Sequence, residues 1–256
     1  MQRKGFSLRR ALKILALFVA IVFILPTLAT AAWWGMLERP SSWSTADWSA
    51  SGVLPPAAAH PDAAVYLMAA RTGGMKGAIS VHSWIVFKRA CNCPYERYDK
   101  VGWGSPVRRN AYTPDARWYS NTPEIVHALE GDAAAALIPR IEAAIASYPY
   151  SRRGDYYIWP GPNSNSFVAH VLRQVPEIDV VAPSNATGRD FAPGFAAVDL
   201  APDWRDIHAT LGGLMGFAAG ARSGFEIHLF GLVAGIDFAR PALKIPAYGR
   251  LPLFLR

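Results

Sequence analysis

Val81-His-Ser-Trp-Ile-Val-Phe-Lys88 decides how this chain reads, because it is a run of β-branched and aromatic residues carrying one histidine near its start. Runs of the same kind flank it: Ala64-Val-Tyr-Leu-Met-Ala-Ala70 before it, and Tyr95 to Trp103 after it. Gly73-Gly74 and Cys91-Asn-Cys-Pro94 separate them. Strand formers punctuated by turn formers predict an antiparallel meander. Arg117-Trp-Tyr119, after the turn signal Thr113-Pro-Asp115, predicts one more short strand.

Helical periodicity takes over downstream. From Asp132 to Tyr148 the apolar residues Leu137, Ile138, Ile141, Ile145 and Tyr148 fall on one face, and Pro139 is expected to break or kink the helix, leaving the stronger part from Pro139 onward. A second helix is predicted from about Ser164 to Val175, with the stripe Phe167, Val168, Val171, Leu172 and Val175, started by the capping signals Pro162, Asn163 and Ser164. Beyond Pro176 the chain is loop-rich, then punctuated by glycine in Leu211 to Gly220 and Leu229 to Phe238. A mid-helix glycine costs up to about 1 kcal/mol relative to alanine, so these segments predict buried strands on the sheet or its edge, in preference to a membrane-facing surface or spanning helices.

The first residues carry a different signal. Arg3, Lys4, Arg9, Arg10 and Lys13 precede an uncharged run from Ile14 to Trp34, and no acidic residue occurs before Glu38. As a secretory signal this has a basic start, an apolar centre, a helix-breaking Pro26 and Ala29-Thr30-Ala31 for cleavage. As an anchor, the preferred reading, it is long enough to span, with Trp33 and Trp34 at the outer interface. Either way the basic end stays in the cytoplasm, and the rest lies on the periplasmic or other extracytoplasmic side of the inner membrane. Residues 1–36 are therefore an anchor or signal peptide, the Pro-, Ser- and Trp-rich residues 37–62 a linker lying along the domain, and residues 63–256 one globular domain.

Charge points to no nucleic acid. The net charge is +7, from 26 basic and 19 acidic residues, but removing the five basic residues of the N-terminal stretch leaves 21 against 19. A nucleic-acid surface needs a basic face on the folded part. Cys91 and Cys93 are the only cysteines. They read as incidental residues of a hairpin tip, although export permits a disulfide and two thiols are half of a tetrahedral metal site. His60, His127, His170, His208 and His228 are scattered without metal-ligand spacing, and no phosphate-cradling loop follows a strand, so no metal or other cofactor is implied.

His82 and Asn163-Ser-Asn-Ser-Phe-Val168 are the pair that suggests chemistry. A nucleophile at a helix N-terminus sits by unpaired N–H groups and the positive end of the helix dipole, and a histidine on a rigid strand can face it as base. Asp99 is the best carboxylate to orient His82, with Tyr98 as a rival. In the plainer alternative, Asn163 and Ser164 cap the helix and His82 is a sheet histidine.

These residues resemble the core of circularly permuted papain-like hydrolases, the NlpC-like peptidases and the lecithin:retinol acyltransferase group, in which a strand histidine precedes an N-C-x-x-F-V nucleophile motif opening a helix. Ser164 stands here where those families have cysteine. The resemblance implies an α+β fold, an antiparallel sheet packed on the helix that starts at Ser164, with Ser164, His82 and Asp99 catalytic and Asn163 and Asn165 serving as oxyanion or helix-cap groups. It implies a hydrolase or acyltransferase acting on an amide or ester of cell-wall or lipid material, or a binding or structural protein that keeps the fold. The chain also resembles a bacterial family catalogued as domain of unknown function 3750, in Val81-His-Ser-Trp-Ile-Val86, Val101-Gly-Trp-Gly104, Trp159-Pro-Gly-Pro-Asn-Ser-Asn-Ser-Phe-Val168 and Arg240-Pro-Ala-Leu-Lys244. That resemblance covers nearly everything after the linker and implies a membrane-associated envelope protein.

Overall fold

A computed structural model describes residues 7–192 and 194–254. Arg3 and Lys4 of the basic stretch lie outside the described residues. The chain begins with α1 (Leu8–Val19) and α2 (Leu25–Met36), joined through a π-helical turn at Ala20–Ile24. Together they make one helix of 29 residues whose most apolar window has a mean hydropathy of 2.6. At 1.5 Å per residue it is about 43 Å long, more than the roughly 30 Å of a bilayer core. Pro26 does not end it. The π turn has already loosened the hydrogen-bond ladder there, and Thr30 Oγ1 donates to the Pro26 carbonyl at 2.9 Å. The C-terminal end of this helix is docked on the domain: Trp34 is buried, its Nε1 donates to the Gly74 carbonyl at 2.9 Å, and a Cβ on Gly77 would meet the Trp34 ring at 2.4 Å.

The Val81–Lys88 run lies in the middle of a five-stranded antiparallel sheet. Its strands are β1 (Ala64–Arg71), β2 (Val81–Lys88), β3 (Glu96–Lys100), β4 (Val107–Arg109) and β5 (Glu124–Glu130), in the order β4-β3-β2-β1-β5. Alternation gives the sheet two apolar faces. Val65, Leu67, Ile85 and Phe87 pack on α3 (Gly131–Ala146) and α4 (Ser164–Gln174). Tyr66, Met68, Trp84 and Val86 pack on Trp118 and on Trp48 and Leu54 of residues 37–62.

Three expectations need correcting. Arg117 to Tyr119 forms an isolated bridge, Trp118 to Asn121, and no strand. Pro139 sits inside an unbroken α3, exposed to solvent, because burial of Ala134, Leu137, Ile138, Ile141, Ala144 and Ile145 outweighs the lost hydrogen bond. Cys91 and Cys93 are joined in a disulfide, with Cα atoms 5.0 Å apart.

The Gly-punctuated C-terminal part does form strands, but in a sheet of its own. β6 (Ala196–Leu200), β7 (Asp206–Leu211), β8 (Met215–Gly220), β9 (Gly224–Leu229), β10 (Leu232–Asp237), β11 (Ala242–Ile245) and β12 (Gly249–Pro252) follow one another as a seven-stranded antiparallel meander. The expectation that these strands are buried fails on one face. Leu211, Met215, Phe217, Phe225, Ile236 and Leu243 share that face and are 37–52% exposed. The opposite, covered face carries His208, Glu226, His228, Asp237 and Lys244. The π turn of the N-terminal helix packs against β10, and its Phe23 is 1% exposed.

Candidate functional site

β2 and β3 pair with Ile85 opposite Tyr98 and Val86 opposite Arg97, so Arg97 and Asp99 share a sheet face with His82 and Trp84. The structure brings His82 and Asp99 together: Nε2 lies 3.2 Å from Asp99 Oδ2, and Arg97 Nη2 donates to the same oxygen at 2.9 Å. All three side chains are buried. The Arg97 guanidinium lies 4.1 Å over the Trp84 ring, and Trp118 stacks parallel to the imidazole at 3.7 Å. Burial pushes the His82 pKa down. Burial alone would raise the Asp99 carboxyl, but the Arg97 charge and the His82 contact outweigh it and hold it below the usual carboxylate value. An ionised Asp99 only accepts, which assigns the imidazole proton to Nε2 and a lone pair to Nδ1. The rival Tyr98 is on the other face, stacked on Phe87 with its hydroxyl donating to Glu96 Oε2 at 3.2 Å.

Ser164 is the first residue of α4. Asn163 caps the helix: its Oδ1 accepts from the backbone N–H of Asn165 at 2.9 Å and of Ser166 at 3.1 Å, while Ser166 Oγ accepts from the Asn163 N–H at 2.8 Å. The Asn163 amide also donates to the carbonyls of Ile158 and Thr187. Asn165 accepts from Ser83 Oγ at 2.7 Å and donates to the carbonyls of Val81 and Thr187, both at 2.9 Å. Both side-chain amides therefore spend both N–H groups on backbone, and the N–H of Ser164 itself is the donor left at this helix end. The sequence pattern showed the cap but not this bracing, which ties α4 to β2 and to the loop at Thr187.

His82 and Ser164 line one cavity of about 300 Å³ at the start of β2, together with Asn163, Trp159, Phe230 and Thr27 of the N-terminal helix. They reach it from different sides. The His82 side chain is on the Trp84 face, whereas the neighbouring Ser83, on the opposite face, bonds to α4. Among the described residues, no hydrogen bond joins His82 to Ser164, and neither His82 Nδ1 nor the Ser164 hydroxyl has a protein partner.

A second polar cluster was illegible from spacing. Asp190, His208 and His228 converge on the covered face of the seven-stranded sheet, with donor atoms all within 4.8 Å of one another. His208 and His228 come from β7 and β9, with β8 between them, and only the register of the meander makes them neighbours.

The sequence model of one family, described as protein of unknown function (DUF3750), matches residues 62–191, just over half of the 256 residues. No curated protein and no solved structure matches the chain. The matched span contains His82, Asp99, Ser164 and Asp190 and stops before β6, so Arg240 to Lys244, one of the phrases that suggested the family, falls outside it.

Proposed function

The chain belongs to the DUF3750 family, and from the cavity that the matched span builds with Phe230, Leu232 and the apolar helix we propose that it is a membrane-anchored envelope protein that holds an acyl-bearing ligand of lipid or cell-wall origin. The observation that carries this reading is the composition of the cavity wall. Ile79, Ile158, Trp159, Phe230 and Leu232 supply an apolar lining, Asn163, Ser164, His82 and Thr187 polar contacts and Lys76 a cation, and Thr27 brings the anchor itself to the site. A cavity whose wall combines large apolar side chains with hydrogen-bonding groups and one cation suits both ends of an amphiphile.

Two further features support a bilayer as neighbour. Phe23 and Trp34 are buried against the domain, a contact that a cleaved signal peptide would forfeit. The seven-stranded sheet turns its apolar face outward while packing against the middle of the helix, so a spanning helix brings that face to the lipid. The disulfide at Cys91 and Cys93 suits an oxidising, exported location.

A second reading, acyl transfer on a permuted papain-like core, is favoured by the His82–Asp99 pair, whose histidine has an unbonded Nδ1 and lines the same cavity as Ser164 with its unbonded hydroxyl. In that reaction Ser164 Oγ attacks the amide or ester carbonyl and His82 Nδ1 takes its proton. The Ser164 N–H stabilises the oxyanion, the C–N or C–O bond breaks as His82 returns the proton to the leaving group, and water or an acceptor releases the acyl group. Against it stands the strand parity that keeps His82 off the α4 face.

One experiment separates the readings. The full chain in nanodiscs is irradiated with a phospholipid carrying a photoreactive acyl chain, and in parallel incubated with a fluorophosphonate. The proposed reading expects acyl cross-links at residues 156–165 and 230–232 and no label on Ser164. Absence of cross-links there overturns it. Labelling that Ser164→Ala abolishes, and that Asp99→Asn slows by about 10²–10⁴-fold, establishes acyl transfer instead.

A further inference from the structure

We propose that Asp190, His208 and His228 are a binding site for a zinc-type divalent cation, with Glu226 fixing the orientation of His228. The site lies outside the cavity of His82 and Ser164, on the covered face of the seven-stranded sheet.

The register builds it. His208 on β7 is opposite Ala218 on β8, which is opposite Glu226 on β9, and Gly216 on β8 is opposite His228. The middle strand thus presents only Gly216, Ala218 and Gly220 on this face, and two imidazoles from the flanking strands lean together over it. Asp190 enters from the loop after α4. His208 Nε2 lies 3.0 Å and His228 Nδ1 3.2 Å from the same oxygen, Asp190 Oδ1. Ligands about 2.0–2.2 Å from a tetrahedral zinc are about 3.3–3.5 Å apart, so these separations are close to the edges of a zinc coordination polyhedron.

The tautomer of His228 is the second observation. Its Nε2 lies 2.8 Å from Glu226 Oε2, and Glu226 is gripped in turn by Arg189 and Lys244. With a guanidinium on one carboxylate oxygen and an ammonium on the other, Glu226 is an acceptor, and the proton belongs on Nε2. That leaves a lone pair on Nδ1. His228 is 3% exposed, and Nδ1 has no hydrogen-bond partner despite the nearby Asp190 oxygen. An acceptor nitrogen pressed against a carboxylate oxygen requires a cation between them or a proton on the nitrogen. A metal-ligating histidine whose other nitrogen donates to a buried carboxylate is the usual outer-shell arrangement, and imidazole with carboxylate suits zinc and its neighbours.

One side of the cluster is open. Asp190 and His208 line a cavity of about 150 Å³ that Arg173 and Arg222 also reach, leaving room for water or an anion as a further ligand. The competing arrangement is a doubly protonated His228 bridging Asp190 and Glu226 with no ion, a state that the two carboxylates also favour.

Metal uptake distinguishes them. The full chain in detergent is stripped with a chelator, incubated with Zn²⁺, desalted and analysed by mass spectrometry for metal content. The expected result is about one zinc per chain. His208→Gln, at a position whose side chain is 24% exposed, should weaken binding at least hundredfold against a chromophoric chelator while near-ultraviolet circular dichroism stays unchanged. His208→Cys is the second variant: loaded with Co²⁺, it should gain a thiolate-to-metal charge-transfer band that the parent lacks. Ser164→Ala should bind zinc as the parent does. A folded chain that takes up no zinc, a His208→Gln variant that binds it undiminished, or a Co²⁺-loaded His208→Cys variant without the band overturns the proposal.

Discussion

The two sheets use the same alternation of residues with opposite results. In the five-stranded sheet both faces are apolar and covered, and three of the polar residues admitted to the interior, His82, Arg97 and Asp99, form one compact chain of charge and hydrogen bond between Trp84 and Trp118. In the seven-stranded sheet the covered face is polar, with Glu226 held by Arg189 and Lys244, and the apolar face is open. A covered face need not be a hydrophobic core. The first sheet derives its stability from packing, whereas the second keeps charged groups on its covered face and leaves an apolar face open.

The largest expected difference is in core truncation. Phe167 is fully buried and packs edge-on against Tyr148, 5.2 Å between ring centres. Phe167→Ala should destabilise the chain by about 3–5 kcal/mol in denaturant titration. A loss below about 1 kcal/mol would show that the helices covering the five-stranded sheet are not its core.

Acid should expose the next difference. His82 has its folded pKa below the unfolded value near 6.5, so the unfolded chain takes up the proton first and stability falls as pH drops through about 6.5. Asp99 is also held low, so its contribution is present above about 3.9 and is lost as pH falls toward its folded value. Unfolding free energy measured from pH 8 to pH 4 should decline for the parent, and more shallowly near pH 6 for His82→Gln. An unchanged slope would place His82 in solvent.

Pro139→Ala should raise stability by about 1–2 kcal/mol by restoring one hydrogen bond on the exposed side of α3. A decrease would mean that the proline shapes the helix against the sheet. The smallest stability effect belongs to the open face. Phe217→Asp, at a residue 41% exposed, should change stability in detergent by less than about 0.5 kcal/mol. The same position tests the apolar face: a fluorophore on Phe217→Cys should be quenched by nitroxide-labelled phospholipid in nanodiscs. Lack of quenching would detach this sheet from the bilayer.

Local chemistry made much of the first sheet legible. The run Val81–Lys88 reads as a strand because β-branched and aromatic residues fit a pleated surface, and Asn163 before an apolar stripe reads as a cap because its side chain can satisfy the first free N–H groups. The apolar stretch after the basic residues reads as a helix long enough to cross a bilayer from length and hydropathy alone. The mixed α and β composition follows from those periods.

Other features exist only in the folded chain. Pro139 looked like a boundary because a missing N–H is a local cost, whereas the buried stripe that offsets it is a sum over the helix. Glycine-rich segments gave no sign of which face would be covered, because alternation fixes that two faces differ and only the neighbours decide which one meets solvent. Asp99, on the next strand, does lie against His82, but the face of His82 relative to Ser164 depends on one residue of strand parity. Asp190, His208 and His228 had no pattern to find, since their separation along the chain is set by loop lengths and their meeting by the register of three strands. The sequence by itself determined the elements and the apolar helix, through interactions a few residues long. The tertiary structure decided which polar groups meet and which apolar face stays open, because both depend on contacts between segments far apart in the chain.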